Sequence, residues 1–294
     1  KIMEWLQQLV NGISIGSIYA LIALGYTMVY GIIKLINFAH GDVFMIGAFV
    51  GFYGLTHWHI GFIPSLLAAM IICSILGVVI ERLAYKRLRN ATRIAALITA
   101  IGMSLLIEYT TIFFRGAQPE AYPDNAVISK TFTVFGTQIS SESIIILVTT
   151  IVLMLLLQFI VHKTKIGKAM RAVSHDMEAA RLMGINVNNT ISATFAIGSA
   201  LAGAAGVVFG LYYTKIDPLM GIIPGVKAFI AAVLGGIGSI PGAMTGGMVL
   251  GIVETVVSAL GFSMWRDAAA FIILILILIF KPAGIFGKNT REKV

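Results

Sequence analysis

Apolar runs of about 18–20 residues recur from one end of this chain to the other, and nothing else in the sequence limits the fold as strongly. Wound as a helix, a run of that length crosses the hydrocarbon core of a bilayer, because roughly 30 Å is covered at about 1.5 Å per residue. Such runs lie at about 9–33, 36–55, 62–80, 94–114, 143–161, 191–211, 225–239, 242–260 and 267–280. Charged residues are 12% of the chain, against roughly 25% in soluble domains, and no stretch is left over for a separate soluble domain. The expected fold is all-α: one transmembrane domain over residues 1–294, a polytopic helical bundle of about eight or nine spans. The second and seventh segments are the least regular, so one or two broken or re-entrant helices are expected, with about eight full crossings remaining.

Several function classes drop out. The net charge of +8 is not read as a nucleic-acid footprint, because the basic residues fall in short clusters between apolar runs, as topology determinants do. Cys73, the one cysteine, lies inside an apolar run, which leaves no disulfide framework and no thiolate metal site. There is no GxxxxGK[ST], hence no phosphate-binding loop for ATP in this chain. Gly236-Ile237-Gly238 does not extend to GxGxxG, since Pro241 stands where the third glycine belongs. No HExxH occurs, and His57 and His59 on either side of Trp58 are too few for a metal site. The opening KIMEW and the long first apolar run do not read as a cleaved signal peptide. An enzyme is therefore not expected, nor a cofactor bound by this chain.

Lysine and arginine set the expected orientation. With the C-terminus in the cytoplasm, Lys34, the cluster Arg82 to Arg93, the cluster Lys163 to Arg181, and Lys281, Lys288, Arg291 and Lys293 all fall inside. Only Lys1, Arg115, Lys130, Lys215, Lys227 and Arg266 of the 21 basic residues remain. That bias favours this orientation over its inverse. The long loop Arg115–Glu142 then faces outward, and its alternating run Thr131 to Phe135, ended by Gly136, reads as a small extended or hairpin element. A soluble partner or solvent alone could cover it.

Two apolar segments, one in each half, are interrupted by turn-forming residues: Gly31–Gly47, with Asn37-Phe38-Ala39-His40-Gly41-Asp42, and Gly221–Gly247, with Pro224-Gly225 and Gly235 to Gly242. Paired interruptions of this kind mark transport pathways; for Ser239–Gly242 a tight turn at the membrane edge is the better reading. Ionisable residues within spans are costly and so are candidates for the path: Asn37, His40 and Asp42 in the first broken segment, Glu108, and Glu254, with Lys227 at the start of the seventh span. Each also has a structural reading: Glu254 paired with a lysine or arginine, Asp42 at a helix N-terminus, His40 packed and hydrogen-bonded. Stripes of small residues, Gly12-Gly16-Ala20, Gly198-Ala202-Gly206-Gly210 and Gly247-Gly251, are expected to be helix contacts and not ligand sites.

The longest polar run is His162–Thr190, HKTKIGKAMRAVSHDMEAARLMGINVNNT. A short surface helix fits within it. Asp176 and Glu178 suit the positive end of a helix, and Gly184 suits the left-handed residue that ends one. Met177, Ala180 and Met183 share a helical face and are expected to dock it on something. Glu178-Ala179-Ala180 followed by Gly184 resembles the EAA loop of ABC-importer permeases. INFAHGDVFMIGAF at Ile36–Phe49, KAFIAAVLGGIGSIPGAMTGG at Lys227–Gly247 and KPAGIFG at Lys281–Gly287 resemble the LivH-type permease of branched-chain amino acid importers.

What the resemblance implies is a permease subunit of the bacterial inner membrane. It would work with a second, LivM-like permease, two cytoplasmic ATPases that carry the ATP and magnesium, and a periplasmic or lipid-anchored amino acid binding protein. It also implies that Asp176, Glu178, Ala179, Ala180, Arg181, Gly184 and Ile185 form the coupling helix that enters an ATPase, with transport by alternating access. Related permeases carry urea or short amides, and a self-sufficient secondary transporter or channel is the alternative of a different class.

Overall fold

The computed structural model describes residues 2–88, 91–123, 127, 130–134 and 137–287. Lys1, Arg89, Phe135, Gly136, Lys288, Arg291 and Lys293, which entered the sequence argument, lie outside them. Among the described residues seven helices are long and apolar enough to cross a membrane. They are α1 (Ile2–Ile33), α3 (Phe62–Ile80), α5 (Arg93–Arg115), α6 (Ser141–Lys163), α9 (Val187–Tyr213), α11 (Ile240–Ala259) and α12 (Arg266–Phe280), the last preceded by a 3₁₀ turn at Ser263–Trp265. A π-turn at Glu81–Tyr85 extends α3 into α4 (Lys86–Leu88). The two segments expected to be irregular are the two shorter helices, α2 (His40–Thr56) and α10 (Ile222–Gly235). Seven full helices thus accompany two partial ones, where about eight full crossings were expected.

Helix starts follow local chemistry. Thr92, Ser140, Thr164, Asn186 and Ser239 each accept a hydrogen bond from a backbone N–H three residues on, capping α5, α6, α7 (Lys165–His175), α9 and α11. Helix α1 starts about two turns before its apolar run. Those turns carry exposed Trp5, Leu6 and Leu9, and Gln7 accepts from the Gln138 N–H at 2.9 Å. Of the two expected forms the hairpin is present, at β2 (Thr131–Val134) and β3 (Thr137–Ser140), with Thr131 opposite Ser140. A second small ladder pairs β1 (Glu120–Ala121) with β4 (Lys215–Ile216) and ties the two halves together on the same face.

That hairpin face also holds the start of α1 and the end of α11, where a Cβ on Gly12 would meet Thr255 Oγ1 at 2.5 Å. The opposite, basic face holds the end of α1, the turn at Gly236–Gly238, α7 and the C-terminal KPAGIFG. Ile285 and Phe286 N–H groups donate to Leu234 and Gly235 carbonyls at 2.9 and 3.0 Å. Two stretches that carry the family resemblance, about fifty residues apart, therefore touch at the end of α10. Ser239–Gly242 is a turn and helix cap on this face, as expected.

Helices α1, α2, α9, α10 and α11 form the centre, and α3, α5, α6 and α12 leave apolar side chains such as Ile98, Phe113 and Phe159 exposed, as lipid-facing helices do. The small-residue stripes are where central helices touch. Gly251 backs onto Gly16, Gly247 onto Ala20, Gly198 onto Gly25, and Gly206 onto the backbone of Phe44 and Ala48. In lipid such close backbone approach replaces the hydrophobic drive that water supplies elsewhere.

Both partial helices begin in the interior. The connector at 34–39 turns back beside α1, so that the His40 and Tyr26 rings lie 4.6 Å apart. The connector at 214–221 enters from the hairpin face. Their first turns meet: a Cβ on Gly41 would lie 2.4 Å from the Gly221 carbonyl, and one on Gly221 equally close to that of Gly41. From this contact α2 runs to the hairpin face and α10 to the basic face.

The packing predicts a sharp contrast. Gly251→Leu forces a side chain into Gly16, where a Cβ already comes within 2.3 Å of backbone nitrogen, and costs on the order of 3 kcal/mol or more. Gly102→Leu meets nothing within 4 Å of its Cβ and is expected to be neutral. Thermal unfolding of the two variants in detergent should separate them; equal midpoints would contradict the packing.

Candidate functional site

Two constellations stand out, one on the basic face and one between the interior and the hairpin face. The first is α7 with α8 (Met177–Leu182). Helix α7 buries Gly167, Met170 and Val173 against the bundle and leaves Lys165 and Lys168 exposed. Gly167 is where α6 and α7 fold on each other, since a Cβ there would strike the Ile160 and Val161 carbonyls at 2.2 Å. Asp176 starts α8: its Oδ1 accepts from Glu178 and Ala179 N–H groups at 2.8 and 3.0 Å. Gly184 ends it with φ of 81°. Ile185 N–H donates to the Ala180 carbonyl and Gly184 N–H to that of Arg181, both at 3.0 Å, which is the Schellman closure. The expected cap and stop are both present.

The docking face differs from the expected one. Ala180 is buried and Met177 packs on the core, but Met183 is 82% exposed beside Leu182 at 88%. Helix α8 ends before Met183, so the three-residue spacing no longer holds that side chain on the Met177 face. The exposed surface of the segment is Glu178, Ala179, Arg181, Leu182 and Met183. Ile185 is half-buried where the chain turns into α9.

The second constellation is ionic. Lys227 of α10 lies 2.9 Å from Glu254 Oε1 of α11 and 2.6 Å from Asp267 Oδ1 of α12. Arg266 Nε donates to Glu254 Oε2 at 2.9 Å and its Nη2 to the Tyr213 hydroxyl at 3.0 Å. Tyr19 Oη donates to Glu254 Oε2 at 3.0 Å and accepts from Lys227 Nζ at 3.4 Å. Glu254 is wholly buried and Lys227 nearly so. Charges withdrawn from water persist only with such partners. Beside them, between α9, α10 and α12, opens a cavity of about 670 Å³ toward the hairpin face.

The other expected path residues sit elsewhere. Asp42, in the first turn of α2, accepts from Ser104 Oγ of α5 and adjoins the carboxyl group of Glu108 on the same helix. Both carboxyl groups are buried. His40 packs between Tyr26 and Gly25 and hydrogen-bonds the Ile22 backbone. Asn37 Oδ1 accepts from the Tyr85 hydroxyl at 3.2 Å. The structure thus joins Asp42 to Glu108, keeps His40 and Asn37 against their own neighbours, and seats Glu254 with Lys227. Sequence reasoning missed Tyr19, Ser104, Tyr213 and Asp267 and counted Arg266 only as a topology charge. An Arg-Asp pair at the very start of a span was the one visible signal.

Residues 8–280 match the model of a family described as the branched-chain amino acid transport system permease component. The chain belongs to that family. Along its whole length it is 44% identical to the high-affinity branched-chain amino acid transport system permease protein BraD of Pseudomonas aeruginosa, 99% of which is covered. It is 42% identical to the permease protein LivH of Escherichia coli K12, again over the whole chain and 99% of that protein. A probable LivH of Methanocaldococcus jannaschii is 29% identical over 94% of this chain and 90% of its own length. No solved structure matches. The EAA-like loop and the ion network both lie within the matched residues, so each belongs to the permease component itself.

Two outcomes follow from the geometry. A Cβ on Gly184 would meet nothing within 4 Å, so only its left-handed backbone is at stake. Gly184→Val should cost about 1 kcal/mol or more and speed amide exchange at Ile185 about fivefold or more. Gly184→Asn should be milder; equal exchange by mass spectrometry in both would contradict the closure. In the network, Glu254→Gln removes the buried carboxylate shared by Lys227 and Arg266 and leaves one positive charge uncompensated, which should cost roughly 3–5 kcal/mol, whereas Asp267→Asn, whose side chain is 58% exposed, should cost about 1 kcal/mol or less. Unfolding midpoints in detergent test that order, and equal losses would contradict it.

Proposed function

We propose that this chain is one of two permease subunits that carry branched-chain amino acids inward across the bacterial cytoplasmic membrane, powered by separate ATPases. The basic face lies in the cytoplasm, together with the C-terminus, and the hairpin face lies outside. The single observation that carries the coupling is α8. It is capped at both ends, anchored through Ala180, and it presents Leu182 and Met183 almost fully exposed between Arg181 and Gly184 on the face richest in lysine and arginine. Two large apolar side chains held rigidly in water are costly unless a partner covers them.

In this reading each ATPase covers α8 with a cleft. When ATP closes the ATPase pair, α8 moves, and α7 transmits the motion because Gly167 locks it against α6 and it packs on α1 and α9. The partial helices α2 and α10, joined at Gly41 and Gly221, then re-aim the path. The chain itself holds neither ATP nor a metal; both belong to the ATPases. An amino acid binding protein delivers substrate to the hairpin face, and the second permease, LivM-like, completes the path.

Glu178 is exposed and near the cap, outside the buried contact. Glu178→Lys is expected to insert and fold normally while ATP-driven leucine uptake falls at least about tenfold, the effect of roughly 1.4 kcal/mol lost at a docking interface. ATP-driven uptake into right-side-out vesicles of matched expression, loaded with ATP, measures this. Undiminished uptake would remove α8 as the coupling element.

A further inference from the structure

We propose that the cavity between α9, α10 and α12 is a transit site for a free, zwitterionic amino acid, with Lys227, Arg266 and Asp267 as its polar end. The proposal rests on the permease reading above and names a site for its substrate. At about 670 Å³ the cavity has the size of small-molecule sites, roughly 300–1,000 Å³. Its polar wall is built and not incidental: Lys227 is nearly buried and fixed by Glu254 and Tyr19 from behind.

The front partner of Lys227 is Asp267, at 2.6 Å, and Asp267 is the exposed member of the network. Its carboxylate occupies the position that the carboxylate of an amino acid would take. When a ligand carboxylate replaces it on Lys227, Asp267 turns to the ligand ammonium. Arg266 uses Nε and one terminal nitrogen for Glu254 and Tyr213 and keeps further donors for the incoming carboxylate. The four side chains Lys227, Arg266, Glu254 and Asp267 sum to zero charge, and so does the ligand. The exchange therefore leaves no charge uncompensated, whereas a cationic or anionic amino acid would leave one. Phe209, Met220 and Ile223 line the same cavity and give an apolar side chain its wall. Because Asp267 competes for Lys227, binding is weak, as suits a site the substrate must leave.

The test uses the complete transporter in lipid, with Cys73→Ser and Ile223→Cys in this chain, and follows alkylation of the new cysteine by a soluble maleimide. L-Leucine at roughly ten times its dissociation constant should slow alkylation about tenfold. The deaminated analogue 4-methylpentanoate and the decarboxylated analogue 3-methylbutylamine should protect far less at the same concentration. Asp267→Asn should abolish leucine protection with no more than the small drop in unfolding midpoint expected of an exposed ion pair, which separates ligand contact from a merely structural role. Leucine import is measured on the same preparation. Alkylation indifferent to leucine while import continues overturns the site alone. A preparation that imports no leucine but imports another solute overturns the permease reading beneath it.

Discussion

Hydrocarbon offers no partner to a peptide N–H or carbonyl, and a helix that begins inside a membrane must therefore hide its start in protein. This chain has two such helices, and it hides each start against the other. The turns before them use their own carbonyls, with Asp42 and Val43 N–H groups donating to Ala39 and Gly225 N–H to Gly221. The remaining exposure is closed by backbone contact between Gly41 and Gly221, too tight for any side chain. Around this junction α1, α9 and α11 pack through their own small residues. The arrangement explains why the centre of the molecule is rich in glycine although glycine weakens an isolated helix: backbone approach is worth more here than helix propensity.

The same constraint governs the charges. A bundle that buries Glu254 completely must bring cations to it, and α10 and α12 do so with Lys227 and Arg266. Tyr19 and Tyr213 take up the remaining bonds. The result is an ion network that stiffens the hairpin-face end of α10, α11 and α12, while the basic-face end of α10 is held by backbone bonds from Ile285 and Phe286. Helix α10 is thus gripped at both ends by different chemistry, one ionic and one of the main chain. It therefore spans from the cavity beside Lys227 to the face that carries α8.

Much of this was legible in the residues. Apart from the start of α1, apolar run length gives the spans to within a few residues, because bilayer thickness sets helix length almost independently of tertiary contacts. The cap at Asp176 and the stop at Gly184 were legible because both are local, depending on residues at most a few positions apart. The broken segments were legible from Asn37 to Asp42 and from Pro224-Gly225 for the same reason. What stayed hidden depends on how distant segments meet. No spacing in the sequence joins Lys227 to Asp267 or Asp42 to Ser104, and Met183 left its expected face because α8 closes one residue earlier than the helical period assumes. The family resemblance anticipated the class of the chain but not the network behind its cavity.

Reconstitution decides whether this permease is driven, as proposed, by ATP hydrolysed on another chain at the basic face. Leucine accumulation is measured in proteoliposomes holding the permease pair with or without the ATPase subunits, with ATP placed on the side of the basic face and the binding protein on the other. Accumulation is expected only when the ATPases and hydrolysable ATP are both present, and none from an imposed proton or sodium gradient. Gradient-driven accumulation by the permease without ATPases would contradict it and would make the chain a self-sufficient transporter.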